Sequence, residues 1–141
     1  MKKLTNNILL LLFMGLWLTS CRDMPQIGDL AGQWQIQKIT FPDGTVVESP
    51  QRYYCFYRSV AELTAPGNIM IPANMDYSNP DIALTFTRDS AAFLRDWGII
   101  PDTDEDPYKL PFTEHYHINT LTSSHLEMTT SKGVIIKLRK Y

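Results

Sequence analysis

From residue 112 to residue 141 the chain contains no proline, and its apolar residues fall on every second position. Tyr116 and Ile118 share one parity, as do Leu126 with Met128, and Val134 with Ile136 and Leu138; Ile135, Lys137 and Arg139 take the opposite parity. A side-chain period of two marks a strand with one buried face, and without proline no ladder donor is missing. Thr122-Ser123-Ser124 and Ser131-Lys132-Gly133 connect the runs. The pattern predicts a three-strand antiparallel meander with one apolar face. Such a sheet has two open edges and an uncovered apolar side. It must close upon further strands or pack against a second sheet.

The upstream segments supply those strands. Gly32 to Phe41 (GQWQIQKITF) is strand-like, Pro42-Asp43-Gly44 is a turn, and Thr45 to Val47 returns, giving a hairpin. Gln51 to Ser59 (QRYYCFYRS) is dense in the aromatics that suit a pleated surface, and Val60 to Thr64 extends it. Residues 65–81 hold Pro66, Gly67, Pro72, Asn74, Ser78, Asn79 and Pro80, which reads as a long irregular connection around one apolar patch, Ile69 to Ile71. Ile82 to Thr87 alternates, with Ile82, Leu84 and Phe86 on one face. Ser90 is placed to cap a short helix over Ala91 to Trp97, Gly98 to end it, and Phe93, Leu94 and Trp97 to form its buried stripe. A strand is the other reading of that segment. The sum is seven or eight strands and one short helix, arranged as a closed barrel or as a two-sheet β-sandwich.

Composition fits one such unit. The 141 residues are 44% hydrophobic and 20% charged, which is ordinary for a single folded domain. A formal net charge of −2 argues against nucleic acid as partner, since nothing offsets phosphate charge.

The first twenty residues read as an export signal. Lys2 and Lys3 precede an unbroken apolar stretch, Ile8 to Leu18. As a helix that stretch spans only about 16 Å of a hydrocarbon core roughly 30 Å thick, so a cleaved signal is expected rather than a transmembrane span. Leu18-Thr19-Ser20-Cys21 resembles the bacterial lipobox, in which the Cys is lipidated and becomes the mature N-terminus. The resemblance implies a diacylglycerol and usually a third acyl chain on Cys21, enough for stable membrane anchoring. Residues 1–20 would then be the signal, 21–30 a short polar tether broken by Pro25 and Gly28, and 31–141 the folded domain. Cleavage removes two positive charges and leaves the remainder more acidic. With Cys21 lipidated, Cys55 has no intramolecular disulfide partner. Arg22 follows the Cys, which by the enterobacterial sorting rule resembles export to the outer membrane.

Leu30-Ala31-Gly32-Gln33-Trp34 resembles the opening of lipocalin-like domains: a glycine, any residue, then tryptophan at the start of the first barrel strand. The mature chain is also similar to small lipocalin-like lipoproteins of Bacteroidetes, with a lipobox, a short tether, this start and a proline-free C-terminal meander ending in Lys137-Leu138-Arg139-Lys140-Tyr141. The resemblance implies an all-β fold: an up-and-down antiparallel barrel of about eight strands. It implies that Trp34 plugs the closed end and that Arg139 packs across it. It also implies a non-catalytic binder of a small apolar ligand, or of an envelope protein. Trp34, Ile36, Leu84, Phe86, Tyr116, Ile118, Leu126, Met128, Ile136 and Leu138 are the inward candidates. An eight-stranded barrel can equally be filled by its own side chains, leaving a structural scaffold.

Other chemistry is weaker. His115 and His117 share a strand face, and His125 and Glu127 share the outer face of the next strand. A metal site would need the hairpin to register them opposite each other; a solvated polar face is the plainer reading. Asp102, Asp104 and Asp106 alternate like a calcium loop, but Pro107 stands where the loop needs Gly and Thr113 where it needs Glu. Cys55 reads as a small buried residue of an aromatic strand. No nucleophile elbow, paired-His zinc helix, phosphate loop or Cys-x-x-Cys is present, so no cofactor and no enzymatic activity are expected.

Overall fold

The computed structural model describes residues 27–48, 51–88, 97 and 110–141. Among them run nine strands: β1 (Gly32–Thr40), β2 (Val46–Val47), β3 (Tyr53–Tyr57), β4 (Val60–Ala65), β5 (Ile69–Ser78), β6 (Asp81–Phe86), β7 (Phe112–Leu121), β8 (His125–Thr130) and β9 (Ile135–Lys140). They form one antiparallel sheet in the order β2-β1-β3-β4-β5-β6-β7-β8-β9, and β1 also pairs with β9. That pairing closes the sheet into an eight-strand barrel with β2 as an extra short strand. β2 lies against Ile39 and Thr40, and β3 against Gly32 to Gln35, along one edge of β1. The two-sheet sandwich is excluded, because a single ladder runs right round.

Alternation fills the interior. Ile82, Leu84 and Phe86 of β6 are buried, as are Leu126 and Met128 of β8 and Val134, Ile136 and Leu138 at and before β9. On β1 the period slips. Trp34, Ile36 and Ile39 are all buried because the register against β9 shifts between Ile36 and Lys38. A bulge inserts one residue there and restores the inward parity beyond it.

Three expectations need correction. Val60 to Thr64 does not extend the aromatic strand; it is β4, folded back antiparallel so that Tyr57 pairs with Val60. Arg58 takes φ 55, which turns the chain in a two-residue loop. Residues 65–81 are not an irregular connection, since β5 occupies ten of them and ends the β4–β5 hairpin at Ile69. Pro72 is tolerated for a positional reason. The Met75 amide points to β4, bonding the Ser59 carbonyl, so by alternation position 72 points toward β6. The β6 ladder begins only at Ala73, so no partner awaits the missing N–H. Finally, the end of the expected tether belongs to the fold: Gly28–Leu30 is a 3-10 turn, and Leu30 and Ile27 are buried. The expected helix over Ala91 to Trp97 lies outside the described residues apart from Trp97.

The up-and-down course gives the barrel two distinct ends. At one end sit the 3-10 turn, the start of β1 and the β3–β4, β5–β6 and β7–β8 connections. At the other lie the β1–β2, β4–β5 and β8–β9 turns and the long β6–β7 segment that carries Trp97.

Candidate functional site

All ten side chains expected to point inward are buried, with exposures from 0% to 7%. Tyr54, Phe56, Leu63 and Trp97 join them. Trp97 is expected from the sequence to be buried as part of a helix stripe; Tyr54 and Phe56 escape the inward set because β3 is aromatic on both faces, which hides its period. Only the alternation of Tyr54 and Phe56 against Tyr53, Cys55 and Tyr57 carried the signal.

Polar groups interrupt this apolar interior toward the Trp97 end. The Tyr54 and Tyr116 hydroxyls lie 3.3 Å apart, with their rings edge to face. Burial pushes both phenols above their ordinary range, and the Glu114 carboxylate nearby adds to it. Glu114 itself is buried and saturated: it accepts from the Ser131 amide (2.8 Å), the Ser131 hydroxyl (2.5 Å) and the Lys132 ammonium (2.6 Å). Trp97 packs on Tyr54 with ring centroids 5.3 Å apart, and the Arg52 guanidinium stands 5.7 Å from its centroid. Its indole N–H is buried and has no partner among the described residues.

The opposite end is closed by Trp34. Its indole N–H donates to the Leu30 carbonyl at 2.8 Å, tying the barrel to the 3-10 turn. The expectation that Arg139 packs across it is corrected. Trp34 faces Lys140 in the β1–β9 ladder, while Arg139 faces Gln35 on the outer side. Parity therefore selects Lys140, whose ammonium lies 4.4 Å from the Trp34 ring centroid. It also donates to the carbonyls of Asp29 (2.8 Å) and Ala31 (2.5 Å). Beside the 3-10 turn an open cleft of about 520 Å³ is lined by Ile27, Asp29, Tyr77, Asn79, Ile118 and Asn119, among others.

The imidazoles are not gathered. The hairpin register sets Thr129, not His125, opposite His117. His117 instead meets Asp81 at 3.0 Å, His125 meets Ser124 at 2.8 Å, and His115 pairs with Ala83 on β6. Glu127 accepts from Asn119 and lies 3.6 Å from Lys137. Among the described residues no group of three or more His, Cys, Asp or Glu could hold a metal ion. Cys55 is a half-buried free thiol whose pKa is raised by burial and by Glu62. Cys21 and Asp102, Asp104 and Asp106 lie outside the described residues.

The chain matches the family described as lipocalin-like domain over residues 16–141. No curated protein matches it. Its fold is similar to that of a lipocalin-like protein from Bacteroides uniformis, with TM-score 0.64 and 17% identity, covering 81% of this chain and 100% of that one. An uncharacterized protein from Bacteroides eggerthii is also similar, with TM-score 0.58 and 15% identity, covering 79% and 99%. At such identities the likeness is one of fold. With the family matched over nearly the whole length and the ladder closed between β1 and β9, the chain belongs to the lipocalin-like domain family.

Proposed function

We propose that this chain is an exported lipoprotein, held in the outer membrane of a bacterial envelope by lipid on Cys21, whose barrel binds a small apolar molecule and catalyses nothing. The anchor is supported by sequence: Lys2 and Lys3, the apolar run Ile8 to Leu18, and Leu18-Thr19-Ser20-Cys21. Binding is carried by one observation, the indole N–H of Trp97, buried against Tyr54 and without a partner among the described residues. A buried donor without an acceptor costs about 1–3 kcal/mol. A ligand that displaces the ring relieves that cost and meets Tyr54, whose hydroxyl lies beside that of Tyr116, in a core that also holds Leu84, Phe86 and Met128. Its chemistry follows: a mostly hydrocarbon body bearing an acceptor group.

A second reading has its own support. The inward side chains are almost fully buried by one another, which suits a filled barrel acting as an envelope scaffold for a protein partner. Native mass spectrometry of the protein extracted from its own host separates the two. A co-purifying small molecule is the expected result. The mass of the lipidated chain alone, under conditions that preserve noncovalent complexes, would sink the ligand reading in favour of the scaffold.

A further inference from the structure

The end of the barrel closed by Trp34 has an exposed aromatic rim. Tyr57 is 65% exposed, Val60 43% and Tyr141 75%. Tyr57 and Val60 pair across the β3–β4 hairpin, and the exposed Arg58 between them stands 5.1 Å from the Tyr57 ring centroid. The Tyr141 amide bonds the Gln33 carbonyl, and Gly32 pairs with Phe56. Tyr141 and Tyr57 therefore flank the first residues of β1 from its two sides.

The chain enters the fold at this same end. Ile27 lines the open cleft at the 3-10 turn together with Tyr77 and Ile118. Only five residues separate Ile27 from Cys21. At roughly 3.3–3.6 Å per residue the reach from Cys21 to Ile27 is at most about 22 Å. With lipid on Cys21, this end cannot stand far from the headgroups. Tyrosine presents an apolar body and a polar tip, which suits a membrane–water interface, and a guanidinium suits lipid phosphate.

We infer that the barrel sits on the bilayer by its Trp34 end, with Tyr57 and Tyr141 in the interface and Arg58 on lipid phosphate. The inference rests on the anchor proposed at Cys21. It deepens that reading, because the Trp97 end then points away from the membrane and takes its ligand from the aqueous side.

The test uses the full chain, expressed with its own leader and reconstituted in vesicles of phosphatidylethanolamine and phosphatidylglycerol. In a Cys55→Ser background an environment-sensitive fluorophore is placed through Tyr57→Cys, and separately through Met70→Cys. Met70 is 62% exposed at the β4–β5 hairpin, on the far end. The label at position 57 should shift to the blue and be quenched several-fold more by brominated lipid than the label at position 70. Equal, solvent-like labels overturn the inference, and so does stronger quenching at position 70. Labelled palmitate incorporation and vesicle flotation read the anchor separately. Palmitate attached with position 57 still in water defeats only the orientation; palmitate absent defeats both. Position 57 shielded from an aqueous thiol reagent in host cells, but unquenched in vesicles, assigns the face to a protein partner and overturns the inference. Hydrogen exchange on the unlabelled chain gives an independent reading: residues 57–60 should gain protection when vesicles are added, and unchanged exchange counts against it.

Discussion

At the scale of single residues, the closed end turns on Gly32. Its φ of +123° is open to glycine and strained for other residues, and a Cβ there would lie 3.1 Å from the Lys140 Cε. Glycine thus lets the lysine stem pass over Trp34. Gly32→Ala should destabilise the barrel by about 1–3 kcal/mol in urea unfolding. Lys140→Ala, losing two charge-assisted hydrogen bonds and a cation–π contact, should cost about the same, whereas Arg139→Ala should stay within roughly 0.5 kcal/mol. An equal loss at both positions would contradict the assignment of Lys140. The sequence showed Trp34 and its glycine, but not which basic residue covers the ring; one position of parity, readable only from the β1–β9 register, decides it. The buried phenols add a pH effect. Tyr54 and Tyr116 have folded pKa values raised above the unfolded value of about 10. Their contribution is fully present below pH 10 and is lost as pH rises from there toward the folded values. Unfolding free energy should therefore fall above about pH 10. In an absorbance titration at alkaline pH these two phenols should ionise only with unfolding; early ionisation of all seven tyrosines would count against their burial.

At the scale of elements, alternation carried the C-terminal meander from sequence to structure almost unchanged. Residues 112–141 became β7, β8 and β9 with the anticipated faces inward. It failed at β5, where Pro72, Asn74 and Ser78 look like loop residues. Asn74 and Ser78 are outward-facing members of a ladder there, and Pro72 sits where one side of that ladder has not begun. Single residues carry turn propensity, but pairing is decided by what lies beside them. The same lesson applies to Glu114, an acid on the inward face of β7, with no sequence signal for its role. Its carboxylate pins the β8–β9 turn to β7 through Ser131 and Lys132. Glu114→Ala should cost about 2–3 kcal/mol and speed amide exchange at Ser131 before it affects β1. Uniform acceleration around the barrel would instead mean that the turn has no stability of its own.

For the whole molecule, closure decides what the interior can offer. Among the described residues, a sheet joined from β1 to β9 leaves only the two-residue β2 with an open edge, so binding falls to the interior, the two ends or the outer face. The interior is occupied by its own side chains, and Trp97 is the largest of them brought in by a connection rather than by a strand. That difference matters physically. Withdrawing a strand residue breaks a ladder, whereas Trp97 belongs to no described strand and packs on Tyr54 and Arg52. Trp97→Ala separates a permanent filler from a replaceable one. Loss of the indole should destabilise the chain by about 3–5 kcal/mol if the walls hold their places. It should leave a void bordered by the Tyr54 ring and comparable to the roughly 150 Å³ cavities that take up benzene. Benzene should then raise the unfolding temperature of Trp97→Ala and leave that of the native chain unchanged. If the variant loses less than about 1 kcal/mol and ignores benzene, the walls have collapsed. The barrel would then be a solid scaffold whose function lies on its outside.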